Sequence, residues 1–210
     1  MKIRRSDEEF IQQLSRLLKA EGISGLGVAE IAARLRCSRR RLYQVAPTKE
    51  GLLVAVAELA FAQARSSGEE GAAREKFASE RIRAYMRAGI ELAQTLSEAF
   101  QCDLEALPAG RAAFDDYQAV RARGLRQLIE EGMRRGELKK LDSLVASEVM
   151  FGAASRIRRP EFLSAAGMTL TEAVEAATDI ILNGMLSKPQ KPGTIGTRFT
   201  SRSRASRVLL

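Results

Sequence analysis

Between Val28 and Leu53 the apolar positions fall into three short sets. Val28, Ile31, Ala32 and Leu35 make the i, i+3, i+4, i+7 stripe of an amphipathic helix. Arg36-Cys37-Ser38 breaks it, and Ser38 can cap a second short helix, Arg39 to about Val45, on which Leu42 and Val45 face inward. Pro47 cannot continue that helix, and Thr48 can cap a third that opens Lys49-Glu50-Gly51-Leu52-Leu53. Two short helices joined by a three-residue turn predict a helix-turn-helix.

Upstream, Ser6-Asp7-Glu8-Glu9 reads as a capping box for a helix reaching about Ala20, apolar through Phe10, Ile11, Leu14, Leu17 and Leu18. That helix is needed, because two short helices bury too little apolar surface to stand alone. The third motif helix is expected to run from Lys49 to about Arg65 as a connector. Ser66 to Gly71, polar and glycine-bearing, reads as a linker.

From Ala72 to Leu186 no alternating strand pattern occurs, so the chain is expected to be all-α. Helices are predicted over about Arg74–Ala93, Leu96–Ala106, Ala112–Arg135, Ser143–Arg156 (capped by Asp142) and Leu170–Leu186 (opened by the capping box at Thr169 and Glu172). The helix after Asp142 is apolar on most of its circumference and must be covered on two sides. In the last helix Ala173, Val174, Ala177, Ile180, Ile181 and Gly184 repeat at spacings of three and four, a bundle-type packing seam. Burial within one subunit is the competing explanation of that seam. The expected organisation is a head at 1–50, a connector at about 49–65, a helical domain at 72–187 and a basic disordered tail at 188–210.

Arg39, Arg40, Tyr43 and Gln44 lie opposite Leu42 and Val45. Arginine can take guanine O6 and N7 as a fork, and glutamine can do the same for adenine N6 and N7. A solvated helix face is the competing reading of these arginines. The stretch resembles the TetR family, the tetracycline-repressor-like transcription regulators, in Val28, Glu30-Ile31-Ala32, Ser38, Leu42-Tyr43, Thr48-Lys49-Glu50 and Leu52-Leu53. The resemblance implies that positions 39, 40 and 44 face bases while Arg41, Tyr43 and Lys49 hold phosphates, and Ser38 and Thr48 are also expected among the DNA-binding residues. The chain departs from the family pattern at Gly27, where a capping Thr is usual, at Arg40-Arg41, which replace a small pair, and at Val45-Ala46, which replace His-Phe. Glu130 to Leu138 is similar, less specifically, to the same family's ligand-binding domain.

The resemblance further implies a four-helix dimer interface built from the last two helices of each subunit, with Val149, Ala173, Val174, Ala177, Ile180, Ile181 and Gly184 as its expected members. It also implies a small molecule between the helices of the second domain that moves the connector and spreads two heads. Phe77, Tyr85, Phe100, Phe114, Tyr117, Met150 and Phe151 are the candidate pocket residues, although such stripes also serve as plain core. Gln94, Thr95, Gln101, Asp103 and Gln118 are the polar residues able to orient a ligand.

Charge sharpens this picture. The total of +8 divides into +5 over residues 1–50, +6 over 188–210 and −3 between them, which places the attraction for nucleic acid at the first end. With no His, the chain lacks His-based metal sites, Ser-His triads and the usual general base. Two isolated cysteines make neither a disulfide framework nor a zinc site. No catalysis, metal or cofactor is expected. The first ten residues lack a signal peptide's apolar run, and a cytoplasmic location is expected.

The resulting expectation is a homodimeric, ligand-responsive transcriptional regulator, a repressor released from a palindromic operator in double-stranded DNA by an apolar or aromatic effector. The alternatives are a nonspecific, architectural DNA-binding protein without a ligand, and an enzyme acting on a small acyl or aromatic compound.

Overall fold

The computed structural model describes residues 7–186, within which ten helices follow one another: α1 (Asp7–Glu21), α2 (Val28–Arg34), α3 (Arg39–Tyr43), α4 (Lys49–Arg74), α5 (Ala78–Thr95), α6 (Glu98–Ala106), α7 (Pro108–Arg134), α8 (Ser143–Ile157), α9 (Pro160–Ala166) and α10 (Leu170–Met185). Among the described residues the sole extended pairing is a single bridge between Leu138 and Leu186. Ser6 as a cap and the basic tail from 188 lie outside the described residues.

The caps read from sequence form. Ser38 accepts from the Arg41 N–H, Thr48 from Gly51, Asp142 from Val145, and Thr169 exchanges both bonds of a capping box with Glu172. Each satisfies a first-turn N–H that has no partner within its helix. α2 closes in a Schellman arrangement, with Cys37 N–H to Ala32 O at 2.9 Å and Arg36 N–H to Ala33 O at 3.0 Å. Arg36 adopts φ 50°, a left-handed conformation more often given to glycine.

One core cluster runs from the head into the body. It joins Phe10, Leu14, Leu18, Ile31, Leu42, Leu52 and Leu53 to Phe61, Phe100, Leu104 and Tyr117. α4 carries this continuity, since it begins in the head and packs along α5 and α7. A second cluster around Ile82, Leu125, Ile129, Met150 and Leu182 ties α5, α7, α8 and α10 together.

Three expectations need correction. Ser66 to Gly71 is no linker: α4 passes through it unbroken to Arg74. Gly68 is buried there, and an added Cβ would stand 3.3 Å from the Ala88 Cβ and 3.4 Å from the Tyr85 carbonyl. These glycines let α4 and α5 approach closely, and Ser66 donates to Glu70 one turn on at 2.9 Å. The break falls instead at Glu75–Phe77. There the Glu137 carboxylate, from the turn after α7, accepts the Ala78 N–H at 2.5 Å and caps α5 from a distance. α7 begins at Pro108, its first-turn residue, rather than at the predicted Ala112. The short α9, closed by left-handed Gly167, is additional to the predicted helices.

Candidate nucleic-acid interface and internal cavity

On α3, Leu42 is fully buried while Arg39, Arg40 and Gln44 are exposed and Tyr43 is half exposed. The Ser38 cap and the Leu42 anchor leave these four as the side chains an approaching surface would meet. Arg41 and Lys49 are placed differently from the expectation. The Arg41 guanidinium lies 4.5 Å above the Phe10 ring and pairs with Asp7 at 3.0 Å, which turns it toward α1. Lys49 donates to the carbonyls of Ile23 and Leu26 at 3.0 and 3.1 Å, closing the α1–α2 loop onto the start of α4. The hydroxyls of Ser38 and Thr48 are engaged as helix caps.

The same loop is held from the other side by the body. Asp103 of α6 accepts the Ile23 N–H at 2.5 Å, the Ser24 N–H at 2.9 Å and the Ser24 hydroxyl. Partial burial works against its charge, but these three hydrogen bonds and nearby Lys49 hold the carboxyl below its ordinary value. Gly22, at φ 70°, comes against Asp103 and the Ala99 backbone where a side chain would collide. Ser97 at the start of α6 also donates to the Lys19 carbonyl at 2.9 Å.

Behind this clamp lies a cavity of about 350 Å³, walled by α4, α5, α6, α7, α8 and α10. That volume sits at the lower end of ligand pockets, roughly 300–1,000 Å³. Of the candidate pocket residues, Phe114, Tyr117 and Phe151 line it. Tyr85 stands one step behind, with its hydroxyl donating to the Arg121 carbonyl at 3.1 Å. Phe100 and Met150 are plain core, and Phe77 is corrected outright, being 44% exposed in the break between α4 and α5. Among the polar candidates Gln101 and Gln118 line the space. Gln94 is bonded to Thr171 and Thr95 to its own helix, while Asp103 serves the clamp.

The residue missed by pattern reading is Arg121. It is 5% exposed and lines the cavity, its guanidinium between 5.4 and 5.6 Å from the rings of Tyr85, Tyr117 and Phe151. Gly89 gives it room, since a Cβ there would overlap the guanidinium. A signal did exist. Tyr117, Arg121 and Leu125 are spaced by four on the inner stripe of α7, so an arginine occupies a core register.

On the far side, α8 and α10 pack together but leave an apolar strip open. Leu144, Val145 and Val149 are 52%, 58% and 51% exposed, and Ile180 is 74% exposed. Gly152 and Gly184 have nothing within 4 Å of an added Cβ. The expected interface set therefore divides. Ala173 and Val174 are buried inside the subunit against Ile90 and Ile157, because their positions on α10 face α5 and α8. Ile181 and Ala177 are partly buried, and Val149, Ile180 and Gly184 face outward.

No curated protein matches the chain in sequence. Its residues 11–56 match the family model for bacterial regulatory proteins of the tetR family. The fold is similar to that of a TetR-family transcriptional regulator, PfmR from Thermus thermophilus, at TM-score 0.60 and 19% identity over 83% of this chain and 97% of that one. It is also similar to the transcriptional regulator FadR from Bacillus subtilis in complex with stearoyl-CoA (TM-score 0.69, 17% identity, 85% and 99% covered). A third likeness is a regulator from Saccharomonospora viridis in complex with choline (TM-score 0.67, 13% identity, 86% and 97% covered). Among the described residues no helix is long and apolar enough to cross a membrane. Residues 11–56 thus carry the helix-turn-helix head of the tetR family of bacterial regulatory proteins, and the helices behind it share the fold of TetR-family transcriptional regulators.

Proposed function

We propose that this regulator is a homodimeric repressor that reads a palindromic operator and leaves it when a small molecule enters the cavity. The observation that carries the reading is the course of α4. Phe61 of that helix lines the cavity, and the same helix begins at Lys49 inside the head. A molecule seated against Phe61 therefore acts on a continuous rod whose other end sets the pose of α3. It releases DNA only as far as it binds the spread dimer better than the DNA-fitting one.

Arg39, Arg40 and Gln44 are assigned to base edges and Tyr43 to the backbone, while Arg41 and Lys49 position the head from within. Two heads related by a two-fold axis would meet half-sites one helical turn, roughly 34 Å, apart. The open strip of Val145, Val149 and Ile180 supports a dimer in which α8 and α10 face their copies across the axis. Such a face is an unstable end state for an isolated subunit. The partner DNA places the work where the chromosome lies, in the cytoplasm. The likenesses bound to stearoyl-CoA and to choline support a cavity that admits a ligand in this fold, and nothing in the site calls for an enzymatic step.

The test is selection of binding sites from random duplex DNA by the full chain at near-physiological salt. Enrichment of one palindrome supports the reading. Salt-sensitive binding with no enriched sequence would replace it with nonspecific, architectural DNA binding.

A further inference from the structure

We infer that the cavity is built for an anion: a small carboxylic acid whose carboxylate is taken by Arg121 and Tyr117 and whose apolar body lies against Phe61, Ile90 and Phe114. The inference deepens the effector reading above and relies on it for the consequence of binding, not for binding itself.

Two buried polar groups in the lining carry the argument. Arg121 is almost wholly buried, yet among the described residues its guanidinium has no carboxylate within ion-pair distance. Among the described residues the guanidinium donates to the Tyr85 carbonyl at 2.9 Å. A guanidinium has five N–H donors and is always charged, so most of its capacity is unspent. The surrounding aromatic rings attract the charge through their faces but accept none of the in-plane N–H groups. Buried charge without a counter-ion is costly and is seldom kept without use.

The second group is the Tyr117 hydroxyl. The residue is 3% exposed, and among the described residues its oxygen makes no hydrogen bond of good geometry, the Arg121 guanidinium being its polar neighbour. Burial pushes the phenol up, outweighing the nearby Arg121 charge, so it stays protonated and can donate. The Tyr117 ring is fixed by stacking on Phe61, with centroids 4.6 Å apart and planes at 13°. Both residues line the same cavity, one turn apart on α7. A fork of guanidinium donors beside a phenolic O–H matches the two oxygens of a carboxylate.

The other charges of the lining point the same way. Glu105 and Asp115 are exposed, and neither pairs with Arg121. Arg111 is turned to the Glu105 carbonyl, and Arg158 lies 5.1 Å over the Phe114 ring. The buried end of the space is thus positive and the exposed end mixed. A single buried cation in a small apolar space suits a monoanion better than a polyphosphate.

The experiment measures binding to the full chain by calorimetry, without DNA, for a set of aliphatic and aromatic carboxylic acids, each paired with its primary amide. The expected result is that acids bind and exceed their amides by about tenfold or more in Kd. Arg121→Met should remove that preference while amide binding stays near its original strength. Tyr117→Phe keeps the stack on Phe61 and should weaken acids several-fold with amides unchanged, which keeps the test sound if Arg121→Met fails to fold. Amides equal to acids, no acid binding at all, or an acid preference that survives both substitutions would overturn the inference. Adding operator DNA separates the two readings. Acids that bind without releasing DNA would refute induction and leave the anion site standing.

Discussion

The Asp103 carboxylate on α6 grips Ser24 of the head through both the backbone N–H, at 2.9 Å, and the side-chain hydroxyl. Since α6 also lines the cavity through Gln101 and Leu104, the clamp is a second physical connection from the cavity to the head, parallel to α4. Its partner on the head side is Lys49, which holds the far end of the same loop at Leu26.

Asp103→Asn should leave operator affinity nearly intact but blunt the effector's power to release DNA, because an amide is a poorer acceptor for three converging donors. The check is DNA affinity with and without effector. An unchanged ratio would remove Asp103 from the coupling. The carboxyl is depressed in the folded state, so its stabilising effect is complete above the ordinary Asp value and is lost as pH falls through the lower folded value. The stability difference between wild type and Asp103→Asn should therefore shrink below about pH 4.

Arg39→Ala or Gln44→Ala should cost roughly 1–3 kcal/mol of operator binding and relax base choice at one position of each half-site. Competition among operator variants reads this directly. A uniform loss across all sequences would reassign the residue to a phosphate.

Lys49→Ala should lower the melting temperature of the free protein. It takes the donor from the partly buried Leu26 carbonyl and one of two donors from the Ile23 carbonyl, which keeps the Leu26 N–H at 3.1 Å, a loss of about 1–3 kcal/mol. Any loss of DNA affinity should follow from a loosened head. Unchanged melting together with a smaller salt slope would restore the phosphate role.

Ile180→Arg places a charge on the outward face of α10 without touching the subunit's own core. Light scattering should show a monomer in place of a dimer, and operator binding should fall with it. A dimer of unaltered strength would move the interface elsewhere.

Gly132→Ala should destabilise the body by about 1–3 kcal/mol through overpacking. Its new Cβ would lie 2.7 Å from Leu138 and 2.8 Å from Ala78, so α5 and α7 would have to part. Denaturant unfolding checks the magnitude.

Local chemistry was readable from the sequence because it acts over three or four residues. The caps at Ser38, Thr48, Asp142 and Thr169, the turn after Leu35 and the apolar stripes of α1, α2, α5 and α7 each depend on near neighbours. So does the exposure of Arg39, Arg40 and Gln44, since Leu42 alone fixes which side of α3 is buried. The tertiary structure decided what depends on partners distant in sequence. Gly68 reads as a linker residue until Ala88 and Tyr85 are seen against it, and Lys49 reads as a phosphate contact until Ile23 and Leu26 claim its protons. Phe77 fell outside the core because the carboxylate of Glu137, 59 residues beyond Ala78, caps the next helix at Ala78 and ends the stripe there. Arg121 became a candidate site because six helices close an apolar space around a charge, and no local pattern records which groups are left unpaired when they close.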